Sequence, residues 1–209
     1  MPLRSLSIPI FLLTIFLFNE EPHDNNMSLA RVHINGGSYL IVHGKTNLTK
    51  FRCQYLKSLS DTLFVRIVND ETEELILENA SISLGVTEFD CGNKLINKDF
   101  QKLMRVVEFP ELKVEALGIR LNKDDQIRGN SNQHGAVYSV NTRITIAGKQ
   151  NDYLLEVEEL ANASPDTYSG SLHLNIRDFG LTPPRKFLGL MKVQENVDID
   201  FYLKLSFLD

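Results

Sequence analysis

The sequence lacks features that several large protein classes need. Its 209 residues include no tryptophan, only two cysteines, and 22 basic against 27 acidic side chains, giving a net charge of -5. Proteins that bind nucleic-acid phosphates are usually basic, so that class is disfavoured. Disorder is disfavoured too, because 43% hydrophobic residues supply enough apolar surface for a core. We therefore expect a folded protein that does not bind nucleic acid.

Motifs for metal binding and nucleophilic catalysis are also missing. The five histidines are scattered along the chain, and no pair has the HxH, HxxH or HxxxH spacing that places two ligands on one face of a strand or helix. There is no GxSxG nucleophile elbow, and neither cysteine stands at a catalytic spacing from a histidine. The sequence predicts no metal site, no cofactor and no catalytic residue, which leaves an enzyme as the least favoured class.

One apolar run, at the N-terminus, suggests a targeting role. Ile8 to Phe18 follows Arg4 and is too short for a membrane-spanning helix of about 20 residues, but it matches the apolar region of a secretory signal. Residues 1–26 are therefore predicted to be a signal peptide or an N-terminal anchor, unless translation starts at Met27. We expect a periplasmic or secreted protein with one domain over residues 27–209.

Most of the remaining sequence alternates between apolar and polar residues with a period of two. The clearest case runs from Val197 to Phe207 and is typical of a strand that buries one face. Shorter alternations, separated by turn residues, predict eight or nine strands. One segment, Asn97 to Val107, has helical spacing instead, with Asn97 as N-cap and Pro110 beyond its end. Crossover helices are missing, so an antiparallel barrel or sandwich is favoured over parallel α/β.

Several segments together resemble the YceI-like family, in its form from Bacteroidetes-type bacteria. The resemblance covers residues 38–207 and rests on these segments in order: Ile41 to Tyr55, Glu108 to Val114, Ile144 to Lys149, Phe179 to Val193, and Val197 to Leu205. It implies an all-β fold, namely an antiparallel eight-stranded lipocalin-like barrel with one short helix. It also implies export to the periplasm and an interior that holds a long isoprenoid chain. Members of this family are not generally enzymes.

An apolar, isoprenoid-type lipid is therefore the predicted partner. An eight-stranded barrel has an interior that its own side chains can fill or that can hold one slender ligand. Burying hydrocarbon there is favourable by about 25 cal/mol per Å² before ordering costs. The alternative is a structural or interaction barrel with a filled core, and the oligomeric state is left open, a dimer included. The residues predicted to line the ligand are Ile144, Ile146, Leu172, Leu174, Phe201 and Leu203.

The two cysteines have matching contexts. Cys53 and Cys91 each follow a phenylalanine at strand spacing, so both thiols are expected to face inward. An oxidising compartment then favours a disulfide between them, with two buried free thiols as the alternative.

The segment from Phe179 to Val193 is predicted to form an ordered loop over one end of the barrel. Its two consecutive prolines have no backbone N–H and cannot continue a hydrogen-bonded ladder. Apolar residues within it are expected to close the barrel, either as a structural end-cap or as a ligand portal. The residues assigned to this barrel-end loop are Phe179, Gly180, Leu181, Pro183, Pro184 and Phe187.

Three lysines repeat every four residues near the predicted helix. Lys94, Lys98 and Lys102 would align along one helix side, opposite the apolar residues. This arrangement is typical of a solvated face, and the alternative is a contact with an anionic lipid head group at the barrel mouth.

Overall fold

The computed structural model describes residues 27–69, 74–122, 134–160, 163, 166–186 and 191–208. The predicted signal segment, residues 1–26, lies outside these ranges. No helix among the described residues is long and apolar enough to cross a membrane. The elements of the described ranges are β1 (Met27–Ile34), β2 (Tyr39–Lys45), β3 (Lys50–Tyr55), β4 (Asp61–Asn69), β5 (Glu74–Glu78), β6 (Ser81–Gly85), β7 (Phe89–Asp90), α1 (Lys94–Leu103), β8 (Glu111–Leu121), β9 (His134–Ile146), β10 (Lys149–Leu160), β11 (Asp166–Asn175), β12 (Arg185–Lys186), β13 (Met191–Lys192) and β14 (Asn196–Leu208).

Eight of the strands close into a ring of antiparallel pairs. Their order is β1, β4, β5, β8, β9, β10, β11 and β14, and β14 pairs again with β1. The closing pair sets Ile34 opposite Leu205 and Arg31 opposite Leu208. Within this ring, closure removes the edge that an open sheet would present to other chains, whereas β7 and β6, outside the ring, each pair with one described strand. The antiparallel eight-stranded barrel predicted from the sequence is confirmed.

Strands β1 and β2 both pair with the long strand β14, and a break separates them near the middle of the barrel. β1 and β2 run one after the other along β14, since Ile34 lies opposite Leu205 and Tyr39 lies opposite Tyr202. Four residues of this segment therefore face two of β14, and Gly37 in the break has a φ of 87°, which favours glycine. Beyond the break, β2 pairs with β3, β3 with β7, and β6 with β8.

The two ends of the barrel differ in what covers them. One end, here called the helix end, carries α1 and the β9–β10 turn at Ala147 and Gly148. The opposite end, here called the terminal end, carries Met27 at the start of β1 and Leu208 at the end of β14. The long strands β8, β9, β10, β11 and β14 run between these two ends, so each of their inward-facing side chains lies at a definable depth.

The helix begins earlier than the sequence predicted. It spans Lys94–Leu103, and its N-cap is Asn93, whose side chain accepts a hydrogen bond from the Leu95 amide at 2.8 Å. Asn97 instead lies within the helix, where its side chain accepts from the Cys91 amide and donates to Asp90. The predicted helix is present, but its bounds were wrong: it begins three residues before Asn97 and ends before Val107, and its N-cap is Asn93. Only the extended backbone of Asn93 makes it the cap.

Buried side chains form two clusters inside the barrel. The first is built on β9 and β11 together with the short 3₁₀ helix Ile176–Phe179, and it includes Ile144 and Leu174. The second is built on β3, β6 and β7, and it includes Cys53 and Leu84. Because these two groups of strands are separated by β8 on one side and by β14 and β2 on the other, the clusters occupy opposite walls of the barrel.

Candidate functional site

An apolar cavity of about 130 Å³ lies inside the barrel between the two clusters. Nearly all of its lining is hydrocarbon, and the polar side chains among the lining residues are Thr142 and Gln194. This composition follows from the alternation along each strand, which turns every second residue inward and leaves the polar ones outside. The cavity can hold an apolar group and offers few hydrogen-bonding partners to a polar one.

Five of the six residues predicted to line a ligand site surround this cavity. They are Ile144, Ile146, Leu172, Leu174 and Phe201. Leu203 is not among the lining residues, and it packs against the second cluster instead. That any of them contacts a ligand stays a prediction.

Other elements supply a part of the lining that was not predicted from the sequence. Leu40 and Val42 come from β2, and Phe100, Leu103 and Met104 come from the region of α1 at the helix end. The helical spacing of α1 already marked Phe100, Leu103 and Met104 as an apolar face, whereas β2 is apolar on both faces from Tyr39 to Val42. What the sequence did not indicate is that Leu40 and Val42 face the same cavity as the apolar residues of α1.

Two phenyl rings of the lining lie against glycines on neighbouring strands. Phe51 stands opposite Gly44, and a Cβ at Gly44 would come within 2.3 Å of the Phe51 ring. Phe201 stands opposite Gly170, where a Cβ would come within 2.6 Å of its ring. Each glycine thus leaves room for a ring along the wall, so that the ring takes less space from the cavity.

A disulfide joins Cys53 to Cys91, as the sequence predicted. Both residues are buried, and Cys53 also lines the cavity. The bond extends the pairing of β3 with β7, because Gln54 lies opposite Asp90 in the adjacent position. Since Cys91 lies just before α1, the disulfide holds the start of this helix against the barrel wall.

The described part of the barrel-end loop lies at the helix end. Phe179 and Leu181 are buried in the first cluster, and Gly180 between them has a φ of 68° where the 3₁₀ helix ends. Pro183 and Pro184 are partly exposed and belong to no strand, whereas Phe187 lies outside the described residues. Farther along, Val193 and Gln194 line the cavity. Whether this segment is an end-cap or a portal stays a prediction.

The three lysines of α1 point away from the cavity. Lys94, Lys98 and Lys102 are all exposed, whereas Phe100 lines the cavity from the same helix. This arrangement fits the solvated face that the sequence favoured. It places no ammonium group of α1 among the lining residues.

A polar cluster, here called the tyrosine cluster, lies toward the terminal end and consists of Tyr138, Glu159 and Tyr168. The Tyr138 hydroxyl donates to Oε2 of Glu159 at 3.2 Å, and the two tyrosine rings pack edge to face with centroids 6.2 Å apart. Partial burial, followed by the charge of Glu159, raises the pKa of Tyr168 to about 12. The same two causes raise the pKa of Tyr138. This cluster was not predicted from the sequence, although Tyr138 and Glu159 fall on inward positions of their strands.

Charged side chains on the outer face include both strand histidines. His43 pairs with Asp200 at 2.9 Å, and His173 pairs with Asp198, which also accepts from Lys45 at 3.2 Å. The hydrogen bond from Lys45, together with that from His173, lowers the pKa of the Asp198 carboxyl. Across the described ranges, no three His, Cys, Asp or Glu side chains are placed to hold a metal ion.

Comparison with known proteins defines the class of fold. No family model matches the sequence, and no curated protein matches it. BcnA from Burkholderia cenocepacia superposes with a TM-score of 0.54 at 17% identity, over 81% of this chain and 96% of that chain. A polyisoprenoid binding domain from Saccharophagus degradans, implicated in plant cell wall breakdown, has a TM-score of 0.54 at 12% identity, over 83% of this chain and 96% of that chain.

These two likenesses show that the protein is a lipocalin-like antiparallel barrel. This is the fold that the resemblance to the YceI-like family implies. A Campylobacter jejuni YCEI protein has a TM-score of 0.44 at 13% identity, over 69% of this chain and 80% of that chain.

Proposed function

We propose that this protein is a member of the YceI-like family. It binds an apolar, isoprenoid-type lipid inside its barrel, and it acts as a carrier of this lipid in a compartment outside the cytoplasm. The observation that carries the proposal is the apolar cavity between the two clusters. One neighbour in fold is a polyisoprenoid binding domain, which supports the ligand class. The protein acts as a binding module and not as an enzyme.

The size of the cavity sets a condition on binding. A cavity of about 150 Å³ accommodates a molecule of benzene's size, and ligand pockets usually enclose roughly 300–1,000 Å³. The 130 Å³ observed here therefore fits about one isoprene unit, and a longer chain enters only if lining side chains move. Met104 is suited to this, because its unbranched side chain is flexible and covers the helix end of the cavity.

Two observations support a location outside the cytoplasm. Disulfides persist in oxidising compartments, and Cys53 is bonded to Cys91. The apolar run from Ile8 to Phe18 has the length of a secretory signal. On this basis the lipid is carried in the periplasm or in the extracellular medium.

A barrel with a filled core and no ligand is the second candidate. The small volume of the cavity favours it, because two side-chain clusters already occupy most of the interior. In that case the protein would act by binding a partner through its outer surface.

Lipid extraction of the purified protein, followed by mass spectrometry, tests the proposal. We expect an isoprenoid-type lipid in amounts comparable to the protein. Leu174→Phe adds a ring beside the cavity, whereas Leu154→Phe makes the same change at a side chain that is 61% exposed. The first variant should lose the lipid and the second should retain it, with both remaining folded because such overpacking costs about 1–3 kcal/mol. If the wild-type protein yields no lipid and binds no added isoprenoid, the proposal is wrong and the protein is a barrel with a filled core.

A further inference from the structure

The tyrosine cluster stands at the far side of the cavity from α1. Tyr138 shares a cross-strand row with Val157, Gly170 and Phe201, and Phe201 lines the cavity. Glu159 and Tyr168 occupy the next inward row toward the terminal end. None of the three side chains lines the cavity itself, but all three lie on the inward face, in the row of Phe201 or one row beyond it. Partly buried polar side chains at this depth are unfavourable unless they are hydrogen-bonded.

Among the residues that the structure describes, the cluster has hydrogen-bonding capacity that no other group takes up. Glu159 accepts from Tyr138 with one of its oxygens, and a carboxylate can accept several hydrogen bonds. In the described part of the chain, the Tyr168 hydroxyl has no hydrogen-bond partner, although its ring is half-buried against Tyr138. A group that both donates and accepts would satisfy Glu159 and Tyr168 together.

The charge of the cluster is negative. Glu159 and Asp166 both lie close enough to Tyr168 to raise its pKa. Among the residues that the structure describes, neither carboxylate forms an ion pair with a lysine or arginine. An anionic group placed here would meet like charges in a partly desolvated site, which is unfavourable.

We propose that Tyr138, Glu159 and Tyr168 bind the polar head of the lipid whose chain occupies the cavity, and that they select an uncharged, hydroxyl-bearing head over a phosphate. This inference rests on the proposed function, since it assigns the head group of the same ligand. The chain then extends from the terminal end toward α1, with the Tyr168 hydroxyl donating to the head group and Glu159 accepting from it.

Three probes with the same C15 carbon skeleton test the proposal: farnesol, farnesyl phosphate and the saturated, head-free hydrocarbon farnesane. Each is titrated into delipidated protein at pH 7, with displacement of a fluorescent apolar probe as the readout. We expect farnesol to bind at least about tenfold more tightly than farnesyl phosphate, because the phosphate meets Glu159. Tyr168→Phe should weaken farnesol about fivefold, the usual net value of one hydrogen bond, and leave farnesane unchanged.

Glu159→Gln separates charge from shape, because it keeps the side chain's size and removes its negative charge. We expect it to improve binding of farnesyl phosphate relative to farnesol. Tyr153→Phe is the matched control, since Tyr153 also pairs with a carboxylate, Asp178, yet does not line the cavity. It should leave all three affinities unchanged.

The outcomes distinguish the two proposals. If all three probes bind equally, or if Glu159→Gln leaves the ratio of farnesyl phosphate to farnesol unchanged, the head-group site is wrong and lipid binding stands. If none of the probes binds, both the lipid-binding function and the head-group site are wrong.

Discussion

Replacing Gly44 with alanine should block the cavity without unfolding the barrel. A Cβ at this position would lie 2.3 Å from one carbon of the Phe51 ring, and 2.6 and 2.9 Å from two others. Carbon atoms pack at about 3.5–4.0 Å, so the ring must move by roughly 1 Å or more. Phe51 lines the cavity, and together with Gly44 it also lines an open groove beside His43 and Lys45. We expect the apolar ring to move toward the apolar cavity, which is the volume that we assign to the lipid.

The expected loss of stability is small. Overpacking a core costs about 1–3 kcal/mol, and the low end applies here because the ring has an adjoining cavity to enter. Replacing a glycine in a strand interior recovers about 0.5–1 kcal/mol. The net destabilisation is then no more than about 2 kcal/mol, which corresponds to a fall in Tm of at most about 8 °C for a domain of this size.

The loss of binding should be much larger. A phenyl ring is comparable to the benzene that a cavity of about 150 Å³ accommodates, so a partly inserted ring removes much of the 130 Å³ present. We expect the affinity for farnesol to fall at least about tenfold, a difference of about 1.4 kcal/mol in binding free energy. Displacement of a fluorescent apolar probe measures it, and circular dichroism melting reports the stability.

Two further variants serve as controls. Gly36→Ala makes the same chemical change where a Cβ would meet nothing within 4 Å, so it should alter neither Tm nor binding. Adding Phe51→Leu to Gly44→Ala removes the displaced ring and should restore binding. If folded Gly44→Ala protein binds farnesol like the wild type, or if the double variant fails to recover, the assignment of the cavity to the lipid is refuted.

The described contacts support three other predictions. Intact mass with and without reductant should differ by the two hydrogens of the Cys53–Cys91 bond, and replacing both residues with serine should lower the unfolding free energy by up to about 4 kcal/mol, given the separation of 38 residues; unchanged stability would contradict this. The Lys45 ammonium holds the pKa of Asp198 below its ordinary value, so the stabilisation is present above about pH 4 and is lost as the pH falls through the lowered pKa. Lys45→Met should raise that pKa in a carboxyl NMR titration, and an unshifted titration would show that the ion pair does not form. The ultraviolet absorbance difference between the wild type and Tyr168→Phe should show Tyr168 ionising near pH 12, with stability declining as the pH rises above about 10; a difference that titrates near pH 10 would place the ring in water.

The class of fold and most of the inward faces could be predicted from the sequence, because they depend on local patterns. Alternation in β14 is such a pattern, since successive side chains of any strand point to opposite sides. It places Phe201 on the inward face without reference to any other strand. The similar contexts of Cys53 and Cys91 likewise predicted the disulfide that the structure contains.

The sequence does not show which inward-facing side chains border the cavity, because this depends on contacts between strands. Leu203 has the same alternation as Phe201, yet it packs against the second cluster and does not reach the cavity. Its neighbour across the sheet is Tyr168, whereas the neighbour of Phe201 is Gly170. The space in front of an inward side chain is therefore set by the residues that other strands bring to the same depth.

The helix boundary and the tyrosine cluster have the same explanation. The sequence predicted Asn97 as the N-cap, whereas the extended backbone at Asn93 makes that residue the cap. Glu159 is a polar residue on a mostly apolar strand face. Its place in a polar cluster can be recognised only from the structure, which brings Tyr138 and Tyr168 next to it. Periodicity along one strand fixes the direction of a side chain, whereas its partners are set by contacts between strands far apart in the chain, which a single sequence does not encode in any local pattern.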